Sequence, residues 1–340
     1  KQINKQNTQI MKKISLLLIG FLLVLTSCDK SDDIDGPDVI VEPTFTLLKD
    51  YMIANQLDIN NIISNSAGIK FVTGAPALAD YDAAAYKAKY YIMDIRSAAA
   101  FATSHIDGAI NVPFGNILTQ AANKGNKQLL IVCYTGQTAC YGAALLRMYG
   151  HPNAQALKWG MTGWSADTDS WSAKTGNVGS ESSNWSFGNP PALNIFDEPV
   201  LNSLSVDGGE ILRKRVEDVV AGGAKFVSNA DVVAAPSNYF INNYFGEADY
   251  TGFGHISGAN RILPLTLKDG EYINLDESAK VVTYCYTGQT SAVVTACLRV
   301  LGYDAYSLTF GMNGLSHSSS NWASNQWGVD SHAKGLPLVN

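Results

Sequence analysis

Two stretches of the chain, LLIVCYTGQTACYGAALLRMYG at residues 129–150 and VVTYCYTGQTSAVVTACLRVLG at 281–302, are copies of one another. Six consecutive residues, CYTGQT, are identical, and their cysteines, Cys133 and Cys285, lie 152 residues apart. The similarity extends outward in the same order: GIKFV at 68–72 and GAKFV at 223–227, SHIDGAINVP at 104–113 and GHISGANRILP at 254–264, WGMTG at 159–163 and FGMNG at 310–314, SSNW at 182–185 and 319–322. A collinear repeat of this length indicates the duplication of a whole domain.

The repeat divides the 340 residues into two predicted domains. The stretch FGNPPALNIFDEP at 187–199 shows neither strand nor helix periodicity and is typical of a linker. We expect domain 1 at residues 44–192 and domain 2 at residues 198–340. Both are long enough to bury a core of their own.

Within each repeat, short apolar runs alternate with helical patterns. YYIMD at 90–94, QLLIV at 128–132 and VVTY at 281–284 predict buried strands. Helical spacing follows from 139 to 149 and from 291 to 301, and each helix is predicted to end at a glycine. This alternation predicts an α/β fold with a mainly parallel sheet flanked by helices in each domain. The CYTGQT loops then lie at the carboxyl ends of strands, where such folds bind ligands.

The N-terminal segment predicts export. From Met11 the chain reads MKKISLLLIGFLLVLTSC, a pair of lysines followed by an apolar run of about a dozen residues, shorter than the roughly 20 of a spanning helix. LTSC at 25–28 resembles a bacterial lipobox, which implies a lipid on Cys28. We expect upstream residues and a lipoprotein signal peptide at 1–27 and an acidic tether at 28–43. The tether resembles the surface-export signal of Bacteroidetes lipoproteins. For the apolar run itself, a membrane-spanning helix is the alternative to a signal peptide.

The expected location is therefore the cell envelope, with the chain anchored by lipid to the outer membrane and facing either the periplasm or the surface. The formal charge is −6, and removal of residues 1–27 takes away four lysines and no acid, which leaves 20 basic and 30 acidic residues. This acidic balance argues against nucleic acid as a partner. The 46% of hydrophobic residues suffices for packed cores and excludes wholesale disorder.

The chemistry of the repeat centres on Cys133 and Cys285. A cysteine between a strand and a helix meets several backbone N–H groups and the positive end of the helix dipole, so we expect a thiolate with a lowered pKa. Glycines in the loops allow the tight turn, and the threonines offer hydroxyl donors. The alternative is a pair of inert buried cysteines, which the retention of all six residues disfavours. Disulfides are a further alternative for an exported chain.

These features resemble the tandem rhodanese-like sulfurtransferases. The resemblance rests on the CYTGQT loops, on DIR at 94–96 followed by HIDGAINVP at 105–113, and on GMTGW at 160–164. It implies that Cys133 and Cys285 take sulfane sulfur from a donor such as thiosulfate or mercaptopyruvate, become persulfides, and pass the sulfur to a thiol or to cyanide. It also implies that no cofactor is needed and that the substrate and persulfide are held by the remaining loop residues: Tyr134, Thr135, Gly136, Gln137, Thr138, Tyr286, Thr287, Gly288, Gln289 and Thr290.

Other residues are given supporting roles. We expect Asp94 and Arg96 to form a structural ion pair near the loop, with direct catalysis as the alternative; the second domain has no equivalent of this pair. His105 and His255 recur at the same place in the two repeats and are expected to make structural hydrogen bonds, with a catalytic base as the alternative. Cys140 has no counterpart and is expected in the core, with a resolving thiol as the alternative.

The loops contain no lysine or arginine, which leaves thiosulfate less assured as the donor. It also leaves open a noncatalytic surface module that binds a small anion or a protein partner. A cysteine phosphatase is disfavoured because the loop lacks the required arginine. No zinc or other metal motif is present in the sequence, so no metal site is expected.

Overall fold

The computed structural model describes residues 43–340. Cys28, the predicted export segment and all but the last residue of the predicted tether lie outside the described residues. Among the described residues, none of the helices combines the length and the hydropathy that a membrane span requires.

The first sheet has five parallel strands. Helices cover both faces of such a sheet, and its central strands are accordingly continuous apolar runs. Its order is β1-β5-β4-β2-β3. The strands are β1 (Val72–Thr73), β2 (Tyr90–Asp94), β3 (Ile110–Asn111), β4 (Gln128–Val132) and β5 (Gln155–Leu157). Its helices are α1 (Thr44–Ala54), α2 (Ile59–Ile63), α3 (Ala83–Lys89), α4 (Ala98–Thr103), α5 (Ile117–Ala121), α6 (Gln137–Met148) and α7 (Gly160–Trp164).

The second sheet repeats this plan with four parallel strands in the order β7-β11-β10-β8. A short pair, β6 (Trp185–Ser186) and β9 (His255–Ile256), is antiparallel. The remaining strands are β7 (Phe226–Val227), β8 (Phe240–Asn243), β10 (Val281–Tyr284) and β11 (Ala305–Leu308). The helices are α8 (Gly208–Ala221), α9 (Asn229–Ala234), α10 (Glu247–Phe253), α11 (Gln289–Leu301) and α12 (Gly311–Leu315). Short 3-10 turns lie at 78–80, 114–116, 122–124, 166–168, 172–174, 236–238 and 271–274.

One hydrophobic cluster spans both domains, and each domain also has a smaller cluster of its own. Helices α6 and α11, which follow the two CYTGQT strands, pack against each other and are buried along almost their whole length. The largest core cluster takes side chains from both halves of the chain, among them Leu145 and Leu298. Asp58 adds a polar contact between the halves, since its carboxylate accepts hydrogen bonds from Leu267 N (2.8 Å) and Lys268 N (3.0 Å).

The segments that follow the two loops exchange places. Residues 176–186 of the first repeat lie on the second domain, where Gly179 N donates to Leu315 O and β6 pairs with β9. Residues 334–339 of the second repeat lie on the first domain, where Leu336 N donates to Trp164 O and Val339 pairs with His105. We call these two segments the exchanged tails. Each domain is therefore completed by a piece of the other repeat.

The predicted fold class is confirmed: each domain is a parallel sheet flanked by helices. The strands at 90–94, 128–132 and 281–284 have the predicted bounds. Helices α6 and α11 begin two residues before the predicted starts, because the polar first turn carries no apolar periodicity. The second domain's strand β8 continues through Asn242 and Asn243, both fully buried. The domain bounds 44–192 and 198–340 stay predictions.

Candidate active site

The Cys133 loop joins β4 to α6 in one tight turn. Gly136 ends the turn at φ +85°, in the left-handed region that favours glycine. This turn directs two backbone N–H groups at the cysteine, so that Sγ accepts from Gly136 N at 3.1 Å and from Ala139 N at 3.3 Å. The sulfur therefore lies in a cradle of amide donors at the start of α6, which is a favourable place for negative charge.

The Cys285 loop joins β10 to α11 in the same way, with Gly288 at φ +72°. Its Sγ accepts from Ser291 N at 3.3 Å, at the position that Ala139 has in the first domain. The Ser291 hydroxyl adds a contact that the first loop does not have, since Sγ and Oγ are 3.5 Å apart. Ser291 Oγ is also 2.9 Å from Ser307 Oγ, which orients the hydroxyl.

Each loop is held from behind by the segment that follows the next strand, which we call the backing segment (159–163 and 310–314). Met161 N donates to Cys133 O at 2.8 Å, and Met312 N donates to Cys285 O at 3.0 Å. Gly160 has φ +62°, and a Cβ there would collide with Cys133 O. The repeated WGM and FGM motifs thus fix the backbone on which the cysteines depend.

Both thiols are nearly inaccessible: Cys133 is 4% exposed and Cys285 is 3% exposed. Burial raises the pKa of the Cys133 thiol, and the backbone N–H groups of Ala139, Thr135, Gly136 and Thr138 oppose the increase without cancelling it. The prediction of a lowered pKa is therefore wrong for Cys133. Loss of water around the sulfur outweighs the hydrogen bonds that would stabilise a thiolate.

A tyrosine follows each cysteine, in different surroundings. Tyr134 is 41% exposed, its hydroxyl lies 3.1 Å from Ser97 Oγ, and the Arg96 guanidinium is 5.8 Å from its ring centre. Tyr286 stacks on Phe245 with ring centres 4.4 Å apart, and its hydroxyl donates to Asp249. The first loop therefore opens beside a cation and polar groups, whereas the second is bordered by aromatic rings.

The predicted ion pair forms at the end of β2. Arg96 Nη2 donates to Asp94 Oδ2 at 2.6 Å and to Ser104 O at 2.6 Å, and Arg96 Nε donates to both carboxylate oxygens at 3.0 Å. Asp94 is fully buried and Arg96 is 5% exposed. Among the described residues, neither side chain forms a hydrogen bond with a cysteine sulfur, and their supporting role stays a prediction.

At the corresponding strand end, the second domain has uncharged residues in place of the Asp94–Arg96 ion pair. Asp94 pairs with Val132 and Asn243 with Tyr284, the residues that precede the two cysteines. Asn243 Nδ2 donates to Tyr284 Oη at 2.8 Å, and Phe245 stands where the first domain has Arg96.

His105 and His255 have the structural surroundings expected for them. His105 Nδ1 lies 2.9 Å from Phe101 O and the ring stacks on Phe101; His255 Nδ1 lies 3.2 Å from Tyr250 O and stacks on Tyr250. Both histidines also form the backbone pairs that receive the exchanged tails, at Val339 and at β6. Burial lowers the pKa of His255, because the ring loses the water that would stabilise its charged form.

The other loop residues face the domain interface or the rim. Gln137 Nε2 donates to Thr135 Oγ1 at 3.1 Å, and Gln289 N donates to Thr287 Oγ1 at 3.3 Å. Thr138 and Thr290 are half-buried in the first turns of α6 and α11.

The remaining two thiols lie in the core. Cys140 and Cys297 are fully buried in the core shared by the two domains, and all four described cysteines are free thiols. Within residues 43–340, no group of three or more His, Cys, Asp and Glu side chains is placed to hold a metal ion.

An aromatic cluster between the loops was not predicted. Trp171 and Trp327 come from the segments after the two backing segments, and they pack with Trp159 and Phe310. Trp171 Nε1 donates to Thr135 O at 3.0 Å, so this ring holds the Cys133 loop directly. The only sequence signal for this cluster was the recurrence of WGM and FGM. A recurring motif does not reveal which side chains pack against it.

Comparison with known proteins agrees with this geometry. A family model described as "Rhodanese-like domain" matches residues 78–167 and 246–318. Among curated proteins, none is similar enough to the chain to count as a match.

Solved structures that are similar include the reduced CoADR-RHD of Bacillus anthracis, at 17% identity and a TM-score of 0.24, with 33% of this chain and 18% of that chain covered. A thiosulfate sulfurtransferase from Pseudomonas aeruginosa is similar at 15% identity and a TM-score of 0.29, with 87% of this chain and 49% of that chain covered. The 3-mercaptopyruvate sulfotransferase of Escherichia coli is similar at 16% identity and a TM-score of 0.27, with 70% of this chain and 97% of that chain covered. The chain thus spans about a fifth of the first of these proteins and about half of the second. These TM-scores are below 0.5, so the assignment rests on the family model and on the sheets and loops described above: the chain contains two rhodanese-like domains in tandem.

Proposed function

We propose that the protein is a sulfurtransferase in which Cys133 and Cys285 each carry sulfane sulfur as a persulfide. The observation that carries this proposal is the amide cradle around Cys133, in which Gly136 N and Ala139 N both donate to Sγ. A persulfide adds one sulfur and retains a negative charge, and backbone N–H groups at a helix start suit that charge. The Ser291 contacts give Cys285 a related cradle.

The reaction has two half-reactions on the same sulfur. With thiosulfate as donor, the cysteine thiolate attacks the outer sulfur, the donor's S–S bond breaks, and sulfite leaves with its electron pair. The enzyme then holds a Cys–S–S anion. An acceptor such as cyanide attacks the terminal sulfur, thiocyanate leaves, and the thiolate is restored. A thiol acceptor takes the sulfur in the same way and becomes a persulfide.

The raised pKa of Cys133 and the small exposure of both sulfurs favour a second candidate. A buried, protonated thiol is a poor nucleophile, so the scaffold could be a noncatalytic module that binds a small anion or a protein partner. Under the sulfurtransferase proposal, entry of the donor must open the loop and bring the thiolate into contact with it. Sulfur uptake therefore distinguishes the two candidates directly.

The test uses residues 29–340, which include every described contact. The protein is incubated with thiosulfate or 3-mercaptopyruvate and examined by mass spectrometry for a gain of one sulfur atom, and thiocyanate is measured after cyanide is added. We expect uptake in the parent, uptake at one site only in Cys133→Ser and in Cys285→Ser, and no uptake in the double variant. Cys140→Ser, which removes a core thiol, is the matched control and should keep uptake at both sites. A parent that gains no sulfur from either donor would refute the enzyme proposal for those donors and favour the binding module.

We also propose that the protein is a lipoprotein of the cell envelope, anchored to a membrane through Cys28. The support is sequence alone, namely the lysine pair, the short apolar run and the LTSC tetrad at residues 11–28. Incorporation of labelled palmitate into the full chain, and its loss in Cys28→Ser, tests the anchor. Equal labelling of both chains would refute it.

A further inference from the structure

The two cysteine loops are in contact through a pair of glutamines. Gln137 and Gln289 are the fifth residues of the two CYTGQT loops and the first residues of α6 and α11. Because these helices pack against each other, each glutamine lies at the domain interface, where both are almost fully buried. Their side-chain amides extend toward the loop of the opposite domain.

Gln137 belongs to the first domain but supports the second loop. Its Oε1 accepts a hydrogen bond from Phe310 N at 2.9 Å. Phe310 begins the backing segment of Cys285 and directly precedes α12, so its N–H group has no acceptor within that helix and takes this one from the other domain. A Cβ added to Gly288 would collide with Gln137 Oε1, which shows how closely the amide lies against the Cys285 loop.

Gln289 has the reciprocal place with a weaker contact. Its Oε1 lies 3.5 Å from Trp159 N, which begins the backing segment of Cys133, and 3.9 Å from Cys140 Sγ. Its Nε2 is buried and has no hydrogen-bond partner among the described residues. The Cys133 loop is thus held less firmly across the interface than the Cys285 loop.

We propose that Gln137 is a positioning residue for Cys285 and that Gln289 is a positioning residue for Cys133. Each cysteine site then depends on a side chain from the other domain, so that movement of one loop changes the geometry of the other. The role in catalysis rests on the proposed sulfur transfer. The dependence of each loop's geometry on the opposite domain does not rest on sulfur transfer, because it follows from the Phe310 and Trp159 contacts.

Gln137→Met tests the stronger contact, since it keeps the length of the side chain and removes the acceptor for Phe310 N. It also removes the hydrogen bond from Nε2 to Thr135 Oγ1 in the Cys133 loop, so both cysteines are followed in the same variant. Iodoacetamide alkylation of each cysteine is followed by peptide mass spectrometry in residues 29–340, under conditions where thermal unfolding shows the native state. We expect alkylation of Cys285 to become about fivefold faster or more while Cys133 changes less. The kcat of sulfur loading on Cys285 should fall with little change in KM, because the acceptor positions the loop and does not touch the donor.

Gln137→Glu is the matched control, because burial favours the protonated carboxyl group, which retains an acceptor oxygen for Phe310 N and a donor for Thr135 Oγ1 without adding a charge. It should leave Cys285 protected. Gln289→Met should accelerate alkylation of Cys133 by a smaller factor than Gln137→Met accelerates that of Cys285, and it serves as an independent test if Gln137→Met does not fold. Larger changes in each variant's own domain would overturn the proposal, as would equal exposure of Cys285 in the Met and Glu variants. If the variants show this crossed pattern but the parent loads no sulfur from thiosulfate or 3-mercaptopyruvate, the sulfurtransferase proposal fails for those donors and the positioning role stands.

Discussion

Replacement of Arg96 by phenylalanine should destabilise the protein, because it leaves a charge buried without its partner. Asp94 is fully buried, and its carboxylate is held by the Arg96 guanidinium and by Arg96 N at 3.0 Å. In Arg96→Phe only the backbone donor remains, and Ser104 O loses the 2.6 Å hydrogen bond from Nη2. Breaking a buried pair in this way costs about 3–5 kcal/mol. An unfolding entropy of roughly 2.1 cal/mol/K per residue over about 300 residues converts this cost to a decrease in Tm of about 5–8 °C.

The second domain supplies the compensating change. Asn243 and Phe245 occupy the places of Asp94 and Arg96 without any charge. The double variant Asp94→Asn with Arg96→Phe should therefore lose less than Arg96→Phe alone, and a double-mutant cycle should give a coupling of about 1.5 kcal/mol or more. Urea unfolding followed by tryptophan fluorescence measures all four free energies. A loss below about 1 kcal/mol in Arg96→Phe, or additive losses in the double variant, would show that the pair carries no buried charge that must be matched.

Three further outcomes are expected. Asp58→Ala should lower the free energy of unfolding by about 3 kcal/mol, because two backbone N–H groups of the other domain lose a charged acceptor. Asp50→Ala, which removes an exposed carboxylate, is the control in urea unfolding. Equal losses in the two variants would contradict the interdomain role of Asp58. Gly160→Ala should slow sulfur loading at least tenfold and lower Tm, because the added Cβ collides with the Cys133 carbonyl oxygen. The control is Gly68→Ala, at φ +75° with open space around it, which should lower Tm through backbone strain alone and leave sulfur loading unchanged. Because burial raises the pKa of Cys133, its thiolate fraction and its alkylation rate should keep rising above the ordinary thiol range near 8.5; a plateau below pH 8 in peptide-resolved alkylation would contradict this.

The sequence was most informative about the central strands and the loops. QLLIV and VVTY are continuous apolar runs because both faces of these strands are covered, and a run of that kind can be recognised without any knowledge of its neighbours. The helix starts were predicted two residues late, because Gln137 and Gln289 are polar and their burial depends on the opposite domain. Local periodicity carries no information about such a contact.

The thiol pKa was mispredicted for a related reason. The loop motif indicates the N–H donors around Cys133, and these are present. It contains no information about how deeply the rest of the fold buries the sulfur. Desolvation is a property of the whole assembly of helices and tails, and here it outweighs the local hydrogen bonds.

The repeat in the sequence also concealed which domain each exchanged tail completes. SSNW occurs after both backing segments, and a simple duplication would place each copy on its own sheet. Both copies lie on the second domain, where Trp185 Nε1 donates to Phe253 O and the Trp322 ring packs on the Phe253 ring. The segment that crosses to the first domain is the later stretch 334–339, in which Val339 pairs with His105. The exchange gives a reason for the recurrence of the two histidines that does not involve catalysis, since both receive the partner tail. Together with the shared core of α6 and α11, it also means that neither domain can be separated from the other without losing part of its own structure. Because each cysteine loop also depends on a glutamine from the opposite domain, the smallest unit that retains an intact site is the pair of domains.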